Sequence, residues 1–135
     1  MPKLIRAVYQ NPIHKEIYRE LFEGKGSYTL FIYHGLEEAM RAFRALELRM
    51  SRPTDLVITE LFLSGDGDSI GALELITLAK EANHETKFIL GGDYVGSKIV
   101  GNNNQLEKLG KDYRYWTLTS SSECLMQLVN SLLEK

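Results

Sequence analysis

The chain has 135 residues, 44% of them hydrophobic and 25% charged, with a formal net charge of −2. That length makes one domain the default and is enough to bury a core without staples. The near-balanced charge, with Lys and Arg scattered, argues against a nucleic-acid face, because phosphate binding needs clustered cations.

Residues 4–9 form a short apolar run with β-branched members, a candidate buried strand. Asn11-Pro12 opens a helix, since Asn caps and Pro suits the first turn. Ile13, Ile17, Leu21 and Tyr18 supply its apolar face, and Gly24-Lys25-Gly26 stops it. A second strand covers 28–33. His34-Gly35 turns into a helix over about 36–50, with Ala39, Phe43, Leu46 and Met50 at helical spacing. Arg52-Pro53-Thr54 ends it. Residues 55–62 are nearly all apolar, as a central parallel strand should be. A Gly- and Asp-rich loop at 64–69 precedes a helix over 70–82 with Leu73, Ile76 and Leu78 inward. The fourth strand, 87–90, is cut by Gly91-Gly92. The segment 94–109 makes a poor helix, because Gly96, Gly101 and the Asn102-Asn103-Asn104 run are unfavourable in a helix interior. A fifth strand spans 113–117. Ser120 and Glu123 then form a capping box for a last helix lined by Leu125, Leu128, Val129, Leu132 and Leu133.

Strand–helix alternation of this kind implies a parallel sheet with helices on both faces. Five strands in a single domain over 1–135 predict an α/β, flavodoxin-like (βα)5 three-layer sandwich of order 2-1-3-4-5. The site of such a sheet lies beyond the carboxyl ends of its strands. Those ends are Tyr9-Gln10, Glu60, Gly91-Gly92 and Thr117-Leu118.

The run Asp55-Leu-Val-Ile-Thr-Glu-Leu-Phe-Leu-Ser-Gly65 resembles the third strand of a response-regulator receiver domain of the CheY-like superfamily. There the strand ends in a phosphate-accepting Asp. Val8-Tyr9-Gln10-Asn11-Pro12 resembles the receiver stretch in which two acids precede Asn-Pro. His34-Gly35-Leu36-Glu37-Glu38-Ala39 is similar to the opening of the second receiver helix, and Ala72-Leu73-Glu74-Leu75 to the third. Tyr115-Trp116-Thr117-Leu118-Thr119 resembles the end of the fifth strand. The resemblance spans essentially the whole chain.

Receiver chemistry, as the resemblance implies it, uses two acids and the acceptor Asp to hold Mg²⁺, because carboxylates are hard oxygen ligands. A hydroxyl after the fourth strand and a Lys after the fifth neutralise the phosphoryl group. In this chain the matching positions are Tyr9 and Gln10 for the acids and Glu60 for the acceptor. Gly91 stands for the hydroxyl and Leu118 for the Lys. The implied function is a stand-alone pseudo-receiver in signal transduction: not an enzyme, without cofactor or metal, and acting by protein–protein contact. Glu60 has two readings, a built-in phosphate mimic or a residue that ends its strand in solvent. The second is preferred, since a mimic needs a responding hydroxyl and Lys.

Tyr113, Tyr115 and Trp116 are the candidate interaction residues, as aromatics of this kind are enriched at interface hot spots. The fourth helix, fifth strand and fifth helix form the family's usual docking and dimer face. The expected partner is another signalling protein or a second copy, with output through that contact. Two alternatives remain: a flavodoxin-like small-ligand or flavin-binding protein, and a divergent receiver that still responds to phosphate.

The other signals are weaker. Asp66 to Gly71 partly matches a calcium loop, but Ile70 and Thr77 stand where ligands belong. The insertion is a solvated turn at the mouth of the site, placed to cover it. His14, His34 and His84 lack metal-ligand spacing and read as surface or capping residues. The single Cys124 excludes an internal disulfide, fits a reducing compartment and reads as a buried structural thiol. No apolar stretch is long enough to span a bilayer, and the first residues lack a signal-peptide core. A cytoplasmic protein that binds neither membrane nor nucleic acid is expected. In hydrogen–deuterium exchange the amides of 94–109 should exchange fastest among the helices, and protection there equal to the first helix would contradict the reading.

Overall fold

The computed structural model describes residues 2–48, 53–60, 72–92, 104–117 and 121–133. The apolar runs form β1 (Lys3–Tyr9), β2 (Tyr28–His34), β3 (Leu56–Glu60), β4 (Lys87–Gly92) and β5 (Tyr113–Thr117). Between them lie α1 (Pro12–Phe22), α2 (Gly35–Leu48), α3 (Ala72–Ala82) and the short α4 (Asn104–Glu107); α5 (Ser122–Leu133) follows β5. The strands pair in parallel in the order β2-β1-β3-β4-β5. The expected α/β architecture and strand order are therefore both present.

Alternation along each strand sorts its side chains onto two faces. Val8, Val57, Phe88 and Leu90 meet Phe43 of α2, Leu75 and Ile76 of α3, and Leu106 of α4. Ile5, Ala7, Leu56, Ile58, Ile89 and Trp116 meet Tyr18 and Phe22 of α1 and Leu125, Val129 and Leu132 of α5. Each buried Leu, Ile or Phe contributes about 1.5–3 kcal/mol relative to exposure, so these two layers hold the sandwich together.

Local signals explain where elements begin and stop. The Asn11 side chain accepts a hydrogen bond from the Ile13 amide at 3.0 Å, capping α1. Gly24 has φ 76° after that helix, and Gly35 has φ 75° where β2 turns straight into α2. Both need the left-handed region that glycine enters without strain.

Several expectations require correction. The α1 side chains buried on the sheet are His14, Tyr18 and Phe22, whereas Ile13 is 65% exposed. The stripe is rotated by one residue, because α1 docks by the i, i+4, i+8 row that begins at His14. Gly91-Gly92 does not cut β4 but completes it, with Gly91 paired to Glu60 and Gly92 to Thr117. In α3 the buried residues are Ala72, Leu75, Ile76 and Ala79; Leu73 and Leu78 are half-buried beside them. The cap of α5 is Ser121, whose Oγ accepts the Cys124 amide at 3.3 Å; Ser120 lies outside the described residues. Cys124 is exposed, since the first turn of α5 turns it away from the Leu125–Val129–Leu132 stripe. Most of the proposed helix over 94–109 also lies outside the described residues.

Asp112, before β5, joins three elements through Lys80 of α3 at 2.9 Å and Lys87 of β4 at 2.7 Å. The Lys87 hydrogen bond, aided by Lys80, holds its carboxyl below the usual carboxylate range against the opposing effect of burial. A depressed carboxyl stabilises the fold above its unfolded-state value of about 3.9 and loses that effect as pH falls through the folded value. Asp112→Asn should therefore cost about 0.5–1 kcal/mol at neutral pH, after allowance for solvent screening. In urea unfolding at successive pH values, the gap from the parent protein should close on acidification.

Candidate functional site

At the carboxyl end of the sheet, β3 delivers Glu60 beside the β1–α1 turn. Strand alternation puts its side chain on the face of Leu56 and Ile58, which is the face covered by α1. The carboxylate is buried, at 6% residue exposure. Its Oε2 accepts from the backbone amides of Gln10 at 2.5 Å and Asn11 at 3.2 Å. His14 Nδ1 lies 3.1 Å from the same oxygen. The ring nitrogen touches the carboxylate there without a hydrogen bond.

The expected end of a strand in solvent is thus incorrect. The physical reason is a shortage of negative charge and acceptors at the start of α1. That helix has no acidic residue in its first turn, and amides at a helix start favour a negative group. Glu60 supplies it from another element. His14 is likewise not a surface histidine: it is 7% exposed and meets Trp116 edge-on, with ring centroids 6.1 Å apart. One helical turn on, the Tyr18 hydroxyl is held in its neutral form. Burial pushes its pKa up, and the Glu60 charge pushes the same way. Tyr18 Oη and Trp116 Nε1 are buried without a protein hydrogen-bond partner.

The other candidate residues fall around this centre unevenly. Gly91 sits next to Glu60 in the β3–β4 ladder, buried and without a side chain to offer. Gln10 takes part through its backbone, and its side chain is exposed. Tyr9 stacks on His34 across the β1–β2 pair, with centroids 4.9 Å apart and planes at 20°. Leu118 lies outside the described residues, as do the 64–69 loop and Asp66 to Gly71 of the calcium-like run. Thr77, its last position, is exposed on α3 and donates to the Leu73 carbonyl at 3.0 Å.

The aromatic triplet on β5 splits between the two faces. Tyr113 and Tyr115 are half-buried against the α2–α3 layer, whereas Trp116 is 1% exposed in the α1–α5 core. Trp116 is corrected from interface candidate to core residue. Odd and even positions of a strand face opposite ways, so the three never share one surface.

An open cleft of about 690 Å³ borders the site over β1 and β2. Gln10, His34, Met40, Arg41, Arg44 and Glu74 are among its lining residues. Among the described residues no three His, Cys, Asp or Glu side chains gather closely enough to hold a metal ion. None of the helices is long and apolar enough to cross a membrane, again among those residues.

Solved structures place this geometry. The signal receiver domain of an HD domain-containing protein from Pseudomonas fluorescens Pf-5 is similar over 99% of this chain and 96% of that one, with TM-score 0.70 and 23% identity. The chain has the receiver fold. A CheY-like receiver protein from Methanospirillum hungatei JF-1 is similar over 97% and 93% of the two chains, at TM-score 0.68 and 16% identity. A LuxR-family two-component response regulator from Aurantimonas sp. SI85-9A1 covers 98% and 86%, at TM-score 0.66 and 20% identity. No protein-family model and no curated protein sequence matches the chain.

In the receiver fold the strand ends are where Mg²⁺ and a phosphoryl group would be held, and the described residues at these ends do not fit them. Tyr9 and Gln10 offer no carboxylate. Glu60 Oε2 is already engaged by two amides, with the His14 ring 3.1 Å away. Sequence reasoning missed His14 as a partner of Glu60. The available signal was the i, i+4, i+8 row His14–Tyr18–Phe22, which fits a sheet-facing stripe as well as the aliphatic row beside it. Glu60→Ala should destabilise the fold by about 2–4 kcal/mol, because buried amides lose a charged acceptor. Glu60→Asp should recover only part of that loss, since its carboxylate falls one methylene short. Chemical denaturation of the two variants checks both statements.

Proposed function

We propose that this chain is a receiver-fold signalling module that acts by contact with a partner protein, without phosphoryl transfer at its strand-end pocket. The observation that carries the reading is the engagement of Glu60. Its carboxylate holds the β1–α1 turn through Gln10 and Asn11, so the group at the acceptor position is a structural pin. An acceptor carboxylate needs an oxygen able to attack phosphorus, with a cation beside it to offset the developing charge. Here one of the two oxygens, Oε2, is committed to the turn, and among the described residues the titratable side chain beside it is His14. The reading makes the chain a binding module and not an enzyme.

The surface around α4, β5 and α5 supports contact with a signalling protein or a second copy. Tyr113 and Tyr115 stand half-buried there, presenting aromatic area at low cost in side-chain entropy. A second reading, a small-ligand or flavin site, draws on the cleft bordered by His34, Arg41 and Arg44. Its volume falls within the roughly 300–1,000 Å³ range of ligand pockets. A bound flavin would give the purified protein a visible absorbance band.

The deciding test is an amide NMR titration with Mg²⁺ and beryllofluoride, which imitates a bound phosphoryl group. No saturable shift is expected at Glu60, Gly91 or Leu118. Saturable shifts there that spread to Tyr115 would replace this reading with a divergent, working receiver.

A further inference from the structure

Helices α2 and α3 cover the same face of the sheet. Each leads from the carboxyl end of one parallel strand to the amino end of the next, so the two run in the same direction. A cleft of about 320 Å³ lies between them. It shares Met40, Arg44 and Glu74 with the larger cleft at the strand ends, so the two form one groove. The floor of the groove is apolar: Met40 is buried, and Leu73 and Leu78 are half-buried. Its walls carry opposite charges. Arg41 and Arg44 stand exposed on the α2 side, and Glu74 and Glu81 stand exposed on the α3 side. None of the four holds an ion pair among the described residues, across the groove or elsewhere. Glu37 departs from this division, one turn before Arg41 at the strand-end mouth.

The division of charge selects the occupant. Two cations opposite two anions leave these walls without net charge, so they do not gather a small ion of either sign. They fit a surface that carries the same two rows in reverse order about an apolar strip. A second copy of this chain is such a surface. We propose that the α2–α3 groove is a self-association face, on which a second copy docks by its own groove about a two-fold axis running along it. That rotation lays α2 of one copy over α3 of the other and leaves levels along the groove unchanged. Arg44 lines the same cleft as Glu74 and Glu81, so it then faces those two residues of the other copy, twice by symmetry. A two-fold axis across the groove would lay α2 on α2 and set Arg against Arg and Glu against Glu. The charges therefore choose the first arrangement, which is isologous and closes at the dimer. Helices of 14 and 11 residues are about 21 and 16 Å long. A face of that size lies at the small end of specific interfaces, which makes the dimer dependent on concentration. Once it forms, Arg41 and Arg44 are no longer open to a small ligand. The groove includes no residue of α4, β5 or α5, so the inference stands independently of the docking face proposed above.

Sedimentation velocity over a concentration series reads the dimer on the intact chain. The parent protein should form a discrete dimer that weakens as salt rises, because its ion pairs begin as exposed charges. Arg41→Glu/Arg44→Glu makes both walls acidic, and Glu74→Arg/Glu81→Arg makes both basic. Each variant should keep the circular dichroism of the parent and weaken its own dimer about tenfold. Mixed in equal amounts, the two should recover a dimer that holds one copy of each. A parent protein that stays monomeric at every concentration overturns the proposal, as does a dimer indifferent to salt. So does a dimer that survives in both variants, which would run through another face, or a mixture of the variants that stays monomeric.

Discussion

The architecture turns on one buried negative charge. Taking a carboxylate out of water costs several kcal/mol unless partners answer it. Glu60 is answered by hydrogen bonds from the amides of Gln10 and Asn11, with the His14 ring beside them. Each hydrogen bond to a charged group returns about 1.5–3 kcal/mol. The result ties the end of the central strand β3 to the turn that launches α1. It also fixes the direction in which α1 leaves the sheet, and so which of its rows is buried. His14, Tyr18 and Phe22 face inward because the helix starts where that carboxylate holds it.

The same contact limits what the strand ends can do. A receiver fold offers its pocket at this place, but an oxygen that holds a turn together is not available to a metal or a phosphoryl group. Any ligand that took it would have to release the amides of Gln10 and Asn11, and with them the start of α1. Tyr18, kept neutral by burial and by Glu60, extends the coupling one turn further along the helix. Function is set by site chemistry of this kind and not by the fold that hosts it.

Much of this was legible in the chain. The alternation of apolar runs with helical rows predicts the parallel sheet and its strand order, because periods of two and 3.6 leave distinct marks. Asn11-Pro12 marks the start of α1, and Gly24 its end, through local backbone chemistry. The ends of the strands were also identifiable, since β1 stops at Tyr9, β3 at Glu60 and β5 at Thr117. That Tyr9, Gln10, Gly91 and Leu118 carry no carboxylate is a matter of residue type, which no folding alters. What sequence reading lacked was direction within an element. It placed Trp116 on a surface with Tyr113 and Tyr115, and read His14 as exposed, because neighbouring rows of a helix or faces of a strand differ by one residue.

The sequence by itself determined the kinds of elements, their order and the lack of a carboxylate at Tyr9 and Gln10, because these depend on short-range pattern and residue type. Only the tertiary structure decided that Glu60 is buried and bonded rather than solvated. Its partners stand about fifty positions earlier in the chain, at separations of 50, 49 and 46 residues for Gln10, Asn11 and His14. Nothing in local spacing links them. The pairing of β3 beside β1 brings them together, and the docking angle of α1 on the sheet then sets which side chain meets the charge.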